Sequence, residues 1–453
     1  MSEADSLVTG NDVGGRIFRA RKSGPLKGEV TPPGDKSISH RSVIFGALAE
    51  GTTKVDGLLE GEDVLRTIAA FRDMGVEVER HDKGRYTIHG VGLDGLAEPG
   101  NVLDMGNSGT GMRLLTGLLS SQPFYSVLTG DGSLRGRPMG RVVTPLRKMG
   151  ARILGREGGK KAPLAINGTE LVPIDYTSPV ASAQVKTAIL LAGLNTAGET
   201  SVLEPALSRD HTERMLKGFG AEVQRDGLRV TIDGWPDLTG QEILVPGDPS
   251  SAAFPMVAAL LVPGSDVLLT NVGMNPTRIG LMEILLEMGG RIERLNEREV
   301  GGEPVADLRV RHSELKGIEV PVEVVPRAID EFPVLFAAAA MADGETIVRG
   351  AEELRVKESD RISAMAVGLG SLGARIEERE DGAVITGQPE GLKGGGVVDS
   401  HTDHRIAMSH LVAGLCCKEP VEVLRCENID TSFPEFHGIM TTLGAEIESG
   451  RVV

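Results

Sequence analysis

Apolar positions along this chain fall into a pattern that restarts six times. A helix-like stretch closes on an apolar residue and a glycine, and alternating strand-like residues follow. The phrase reads FRDMGVEVER from Phe71, LRKMGARILG from Leu146, LKGFGAEVQR from Leu216, LLEMGGRIER from Leu285, LGSLGARIEE from Leu369 and TTLGAEIES from Thr441. Its glycines, Gly75, Gly150, Gly220, Gly289, Gly373 and Gly444, lie 75, 70, 69, 84 and 71 residues apart. Glycine is expected where a helix ends, because the backbone turns left-handed there without a Cβ penalty. The alternation of Val76 with Val78 then begins a strand with one face exposed.

Upstream of each phrase, a helix of small residues runs into a turn, a strand and a charged loop, as in AGLNTAGETSVLEPALSRD and AAAMADGETIVRGAEELRVKE. Six such units, each with two helices and several strands, predict a mixed α/β protein with sixfold internal repetition. The first helix of each unit opens on a distinctive turn: Pro32–Arg41, Met105–Arg113, Ser178–Lys186, Pro246–Phe254, Ala328–Leu335 and His401–Met408. Ser, Asp and Asn with Gly or Pro are what a helix N-terminus requires. The free N–H groups and positive dipole end of such a turn also favour anions. Capping alone accounts for PGDPSSAAF. It does not account for Lys36, His40, Arg41, Arg113, Lys186, His404 and Arg405 crowding the other turns.

Composition sharpens this. The 453 residues carry 48 Lys and Arg against 64 Asp and Glu, a formal charge of −16, with 3% aromatics. That balance argues against a basic, base-stacking nucleic-acid surface. Cations nevertheless concentrate at the helix openings and in the charged loops, which hold Arg135 and Arg137, then Arg209, Asp210 and His211, then Arg355, Lys357, Glu358, Asp360 and Arg361. An acidic chain with a focused cationic site is expected to take small, multiply charged anions. Three cysteines, Cys416, Cys417 and Cys426, cannot staple a chain of this size, and a reducing compartment is expected. No apolar run approaches membrane-span length, and residues 1–14 have neither signal- nor transit-peptide character. They read as a mobile tail on a cytoplasmic protein.

GNSGTG has the wrong glycine spacing for a dinucleotide fingerprint, and GDKS lacks the upstream glycine of a P-loop. His401 and His404 lack an evident third ligand, so they read as a cap and an anion neighbour rather than a metal pair. Ser182 has no nearby base to make it a nucleophile.

In order, GDKSISHR, GNSGTGMR, RPMGRV, SAQVK, RDHTE, IDEFP, RVKESDR and DHRIAM resemble the 5-enolpyruvylshikimate-3-phosphate synthase family from about Pro32 to Pro434. The resemblance implies a two-domain inside-out α/β barrel, each domain three βαβαββ units. On that resemblance, residues 29–244 are expected to form one domain and residues 1–28 with 245–453 the other, with the active site in the cleft between them. It implies transfer of the enolpyruvyl group of phosphoenolpyruvate to the 5-hydroxyl of shikimate 3-phosphate, without metal or organic cofactor. The protein is expected to be a monomer inhibited by glyphosate.

Carried over by motif, Lys36, Ser37, Arg41, Ser182, Gln184, Arg209, Asp330 and Lys357 are expected at shikimate 3-phosphate. Lys36, Asn107, Gly109, Arg137, Gln184, Lys357, Arg361, His404 and Arg405 are expected at phosphoenolpyruvate. The chemistry needs a base at the attacking hydroxyl and an acid at the methylene carbon, and two carboxylates in different surroundings meet that need. The resemblance implies Asp330 as base and Glu358 as acid, with Lys36 also catalytic. Two departures from family patterns stand out: Thr431 where some members carry Lys, and Ser182-Ala183-Gln184 where another branch has Ser-Ser-Gln. Both resemble a glyphosate-tolerant branch, yet Gly109 lacks the alanine methyl that usually accompanies tolerance, so sensitivity is expected. Among rivals, a UDP-N-acetylglucosamine enolpyruvyl transferase typically carries a cysteine on its second-unit loop, and residues 109–147 contain none. An RNA 3′-phosphate cyclase would need a nucleic-acid surface. A non-catalytic anion-binding paralogue should have lost Asp330 or Glu358.

Overall fold

The computed structural model describes residues 15–451, so the tail expected over residues 1–14 lies outside the described residues. Six small sheets pack around helices, five of them four-stranded and one three-stranded. In three of the sheets, a parallel edge strand is followed by three antiparallel strands, the last in sequence lying between the other two, as in Leu103–Asp104, Tyr125–Thr129, Lys161–Asn167 and Arg152–Gly155. All six phrase glycines have positive φ, from 89° at Gly75 to 105° at Gly220, and each leads from a helix into a strand. The repeated phrase therefore records one local backbone event made six times.

Strands swapped along the chain tie the units together. Lys27–Val30 pairs in parallel with Asp266–Gly273, and Arg16–Ala20 lies between Val421–Leu424 and Ile447–Arg451. In the other direction, Glu242–Leu244 returns to pair with Glu50–Asp56. The buried apolar residues form two separate clusters. One draws on Ile38 to Val245, the other on Phe18 to Val30 together with Ala252 to Ile447.

The opening helix of each unit is almost wholly buried, polar residues such as Ser39, His40 and His410 included. Small residues let them approach closely. A Cβ at Gly117 in Gly109–Leu119 would stand 2.1 Å from the Ala188 carbonyl of Ala183–Leu194. Among the described residues no helix is long and apolar enough to cross a membrane.

Candidate active site

Because these helices run through the interior, their N-termini are where backbone donors meet open space. Side chains of Asp35, Ser108, Ser182, Asp248 and Asp403 cap five of them. The exception is Phe332–Ala339, preceded by Glu331 with no side-chain cap bond. Asp330 is therefore not a cap, and its carboxylate is free to face the cavity.

That cavity, about 630 Å³, takes walls from both halves of the chain. Lys36, Ser37, Gly109, Arg137, Ser182, Gln184 and Arg209 line it from one half, and Asp330, Lys357, Glu358, Arg361, His404 and Arg405 from the other. The cations of one half meet the carboxylates of the other. Arg137 Nη1 donates to Glu358 Oε1 at 3.2 Å, and Arg209 donates to Asp330. Arg141 makes a bidentate pair with Glu353 at 2.6 and 2.9 Å. Within the second half, Arg361 Nη2 donates to Glu358 Oε2 at 2.6 Å, and its Nε donates to the buried cap Asp403 at 2.8 Å. Lys357 Nζ stands 3.5 Å from Asp330 Oδ1, and Arg405 Nη1 donates to the Asp330 carbonyl at 2.9 Å.

These contacts set the protonation states. Burial opposes ionisation of Asp330, but Lys357, Arg209, Arg405 and Arg361 outweigh it and hold the carboxyl well below the usual range. Glu358 is likewise buried yet held low by Arg361, Arg137 and Lys357. Burial, with Arg405 and Lys36 nearby, pushes His404 down to about 3 despite Asp403, so this imidazole is neutral at physiological pH. The two carboxylates are ionised, and an acid role for Glu358 requires a proton that the charge pattern of the free site disfavours.

Not every expected residue faces the cavity. Arg41 lies behind the wall, donating to the Ser37 carbonyl at 3.0 Å and to Thr187 and Thr212 at 2.9 and 2.8 Å. Asn107 sits under Gly109, accepting from Arg137 Nη2 at 2.6 Å and donating to Asp131 at 2.7 Å. Both support lining residues. Of the crowding cations, Lys186 is buried with Glu204 and Glu213 at 2.8 and 2.7 Å, and His40 bonds Thr67. Arg135 donates to the Gly130 carbonyl, while Arg355 turns to Asp360 and Glu378. Thr431 is buried with its hydroxyl donating to the Asn428 carbonyl, while its neighbour Ser432 lines the cavity.

Conversely, Asp63, Thr110, Arg141 and Glu353 line the cavity without having been singled out. Asp63 pairs with Lys36, and burial raises its pKa against the pull of that lysine. Thr110 accepts from Gln184 Nε2 at 3.0 Å, while Arg113 donates to Gln184 Oε1 at 2.7 Å. Three of the four lie in stretches the sequence set apart: Thr110 in the helix opening Met105–Arg113, Arg141 in RPMGRV and Glu353 in AAAMADGETIVRGAEELRVKE. Among the described residues, His401 and His404 belong to no cluster of three metal-capable side chains; the one such group, Glu77, Glu79 and His89, lies on a separate strand pair.

The family described as EPSP synthase (3-phosphoshikimate 1-carboxyvinyltransferase) matches residues 20–440. A 3-phosphoshikimate 1-carboxyvinyltransferase of Magnetococcus marinus is 71% identical over 434 residues, covering 96% of this chain and 98% of the relative. That of Acidithiobacillus ferrooxidans is 58% identical, covering 95% and 98%. Among solved structures, an EPSP synthase of Acinetobacter baumannii superposes with a TM-score of 0.86 at 51% identity, covering 96% of this chain and 100% of the other. The enolpyruvyl transferase NikO of Streptomyces tendae shares the fold at 18% identity, with a TM-score of 0.74 and coverage of 97% and 100%. Matched along nearly its whole length, the chain belongs to the EPSP synthase (3-phosphoshikimate 1-carboxyvinyltransferase) family.

Proposed function

We propose that the cavity carries out the family's reaction with its two halves in distinct roles. The enolpyruvyl group of phosphoenolpyruvate passes to the 5-hydroxyl of shikimate 3-phosphate and phosphate leaves, a step of the shikimate pathway to aromatic amino acids. Ser37, Ser182, Gln184 and Arg209 hold shikimate 3-phosphate, with Lys36, Asp330 and Lys357 shared at the junction and Arg41 fixing Ser37 from behind. Gly109, Arg137, Lys357, Arg361, His404 and Arg405 enclose phosphoenolpyruvate, with Asn107 aiming Arg137. The observation that carries this reading is the meeting of Lys36, Arg137 and Arg209 with Lys357, Arg361 and Arg405 around two carboxylates in one cavity. Both substrates bear a phosphate and a carboxylate, which such cations complement.

Asp330 takes the proton of the 5-hydroxyl as oxygen attacks C2 of phosphoenolpyruvate, and Glu358 delivers a proton to C3. In the elimination that follows, the Glu358 carboxylate takes a proton back from C3, the C2–C3 double bond re-forms and the C2–O bond to phosphate breaks, with Arg137, Lys357 and Arg405 absorbing the charge on the leaving phosphate. Glu358 can hold its proton once substrate anions take over Arg137 and Lys357, two of the cations that keep it ionised in the free site. We read the architecture as an inside-out barrel of two domains. The pairing of Lys27–Val30 with Asp266–Gly273 and the packing of Val245 with the first cluster support crossings close to residues 28 and 245. A monomer in the cytoplasm, sensitive to glyphosate, completes the reading. Phosphate release from phosphoenolpyruvate, assayed with shikimate 3-phosphate and in parallel with UDP-N-acetylglucosamine, tests it. Turnover with the sugar nucleotide alone would refute the assignment.

A further inference from the structure

The two chain crossings converge on one buried charged cluster. Asp35 N–H donates to the Pro246 carbonyl and Asp248 N–H to the Pro33 carbonyl, each at 2.8 Å. The side chains of the same aspartates cap Lys36–Leu48 and Pro249–Leu261. Arg278 joins them, with Nη1 2.7 Å from Asp35 Oδ2 and Nη2 2.9 Å from Asp248 Oδ1. Nη2 also donates to Ser250 Oγ at 2.8 Å, and the Ser250 hydroxyl donates to Glu331 Oε1. Arg405 Nη1 lies 3.5 Å from that same oxygen. Asp35, Asp248, Ser250, Arg278 and Glu331 are each no more than 4% exposed.

Glu331 has no evident fold-stabilising task. It makes no cap bond to its own helix, and its Oε2 has no hydrogen-bond partner among the described residues. A buried carboxylate is expensive unless paired. Its polar neighbours are the hydroxyl tied to the crossings and the guanidinium that reaches the cavity.

We propose that Ser250 and Glu331 are positioning residues that fix Arg405 relative to the interdomain crossings. Arg278 sets Ser250 against both caps, Ser250 orients the Glu331 carboxylate, and that carboxylate holds Arg405 at the cavity wall. Outer partners of this kind decide how well a site is preorganised. The inference rests on the reading of Arg405 as a phosphoenolpyruvate ligand.

Steady-state kinetics in both substrates, with thermal unfolding of each variant, test it. Ser250→Ala and Glu331→Gln are each expected to raise the phosphoenolpyruvate KM about five- to tenfold. kcat and the shikimate 3-phosphate KM should stay within about twofold, the signature of lost binding rather than lost chemistry. Ser250→Thr, which keeps the hydroxyl, should recover most of the loss. The double variant should be no worse than Glu331→Gln alone, because both changes break one chain. A lowered Tm with an unmoved phosphoenolpyruvate KM in both single variants would overturn the proposal and leave a structural role. Should Ser250→Ala fail to fold, Glu331→Gln decides. Arg405→Lys separates the two layers: if it raises the phosphoenolpyruvate KM while the other variants do not, the positioning role alone falls. If it does not, the site reading falls and takes this inference with it.

Discussion

Asp330 and Glu358 each lie within reach of three or more cationic side chains, and this surplus decides what a substitution does. Asp330→Ala and Glu358→Gln should still bind shikimate 3-phosphate in calorimetry while kcat falls about 10²- to 10⁴-fold, the usual worth of a general acid or base. Near-normal turnover in both would remove them from the chemistry. Substrate anions compete for the cations that depress Glu358, so binding should raise its pKa and take up a proton. Affinity for the substrate pair should then rise as pH falls toward the liganded pKa. Titration calorimetry in buffers of different ionisation heat, between about pH 5 and 7, reads that uptake directly. At Gly109 an added Cβ would stand 2.9 Å from Arg137 Nη1 and 3.0 Å from Arg113 Nη1. These are ends of flexible side chains that can shift, so Gly109→Ala should fold. The methyl takes space beside the guanidinium groups, and the concentration of glyphosate needed for half-inhibition should rise about tenfold or more.

Elements make the repeat visible. Each phrase glycine ends a helix in a conformation that a Cβ disfavours, whatever the surrounding sequence. Gly150, at φ 99° with nothing within 4 Å of where a Cβ would stand, separates that backbone cost from packing. Gly150→Ala should cost about 1–2 kcal/mol in denaturant unfolding, with kcat unchanged. The helix openings were legible because caps and glycines are local chemistry. Which of their cations reach the cavity was not. Lys186 lies four residues after Ser182, in the same opening that presents Ser182 and Gln184, yet its place on the buried helix turns it onto Glu204 and Glu213. Arg41 and Lys36 differ in the same way on Lys36–Leu48.

For the whole molecule, buried histidines set the acid limit. Burial holds His40 well below its ordinary value, and brings His404 to about 3 and His410 to about 4. All three are neutral when folded and gain a proton near pH 6.5 when unfolded. The unfolded state therefore binds more protons, and stability should fall as pH drops from about 6.5 toward 4, by at most about 4 kcal/mol per pH unit for three groups. Asp63 and Glu331, whose pKa values burial raises, act in the opposite sense and soften the slope. A melting temperature flat across that window would show that these histidines are hydrated. Closure is the second property at this scale. Across the cavity, the cation–carboxylate contacts Arg137–Glu358, Arg141–Glu353 and Arg209–Asp330 bridge the halves. Breaking the most exposed of them with Arg141→Ala should enlarge the substrate-free radius of gyration in X-ray scattering, and shikimate 3-phosphate with glyphosate should contract it again.

The sequence by itself determined the sixfold recurrence of the glycine phrase, the helix openings and the charge contradiction that pointed to small anions, because each depends on neighbours within one turn or one strand. It also carried the ordered motifs on which the family resemblance rests. Tertiary structure alone decided which cations share a cavity, that Asp63 stands beside Lys36, and that Glu331 reaches Ser250 across 81 residues. Those pairings join residues from distant stretches of the chain, and they exist because strands swapped between units bring the crossings and the helix ends to one place.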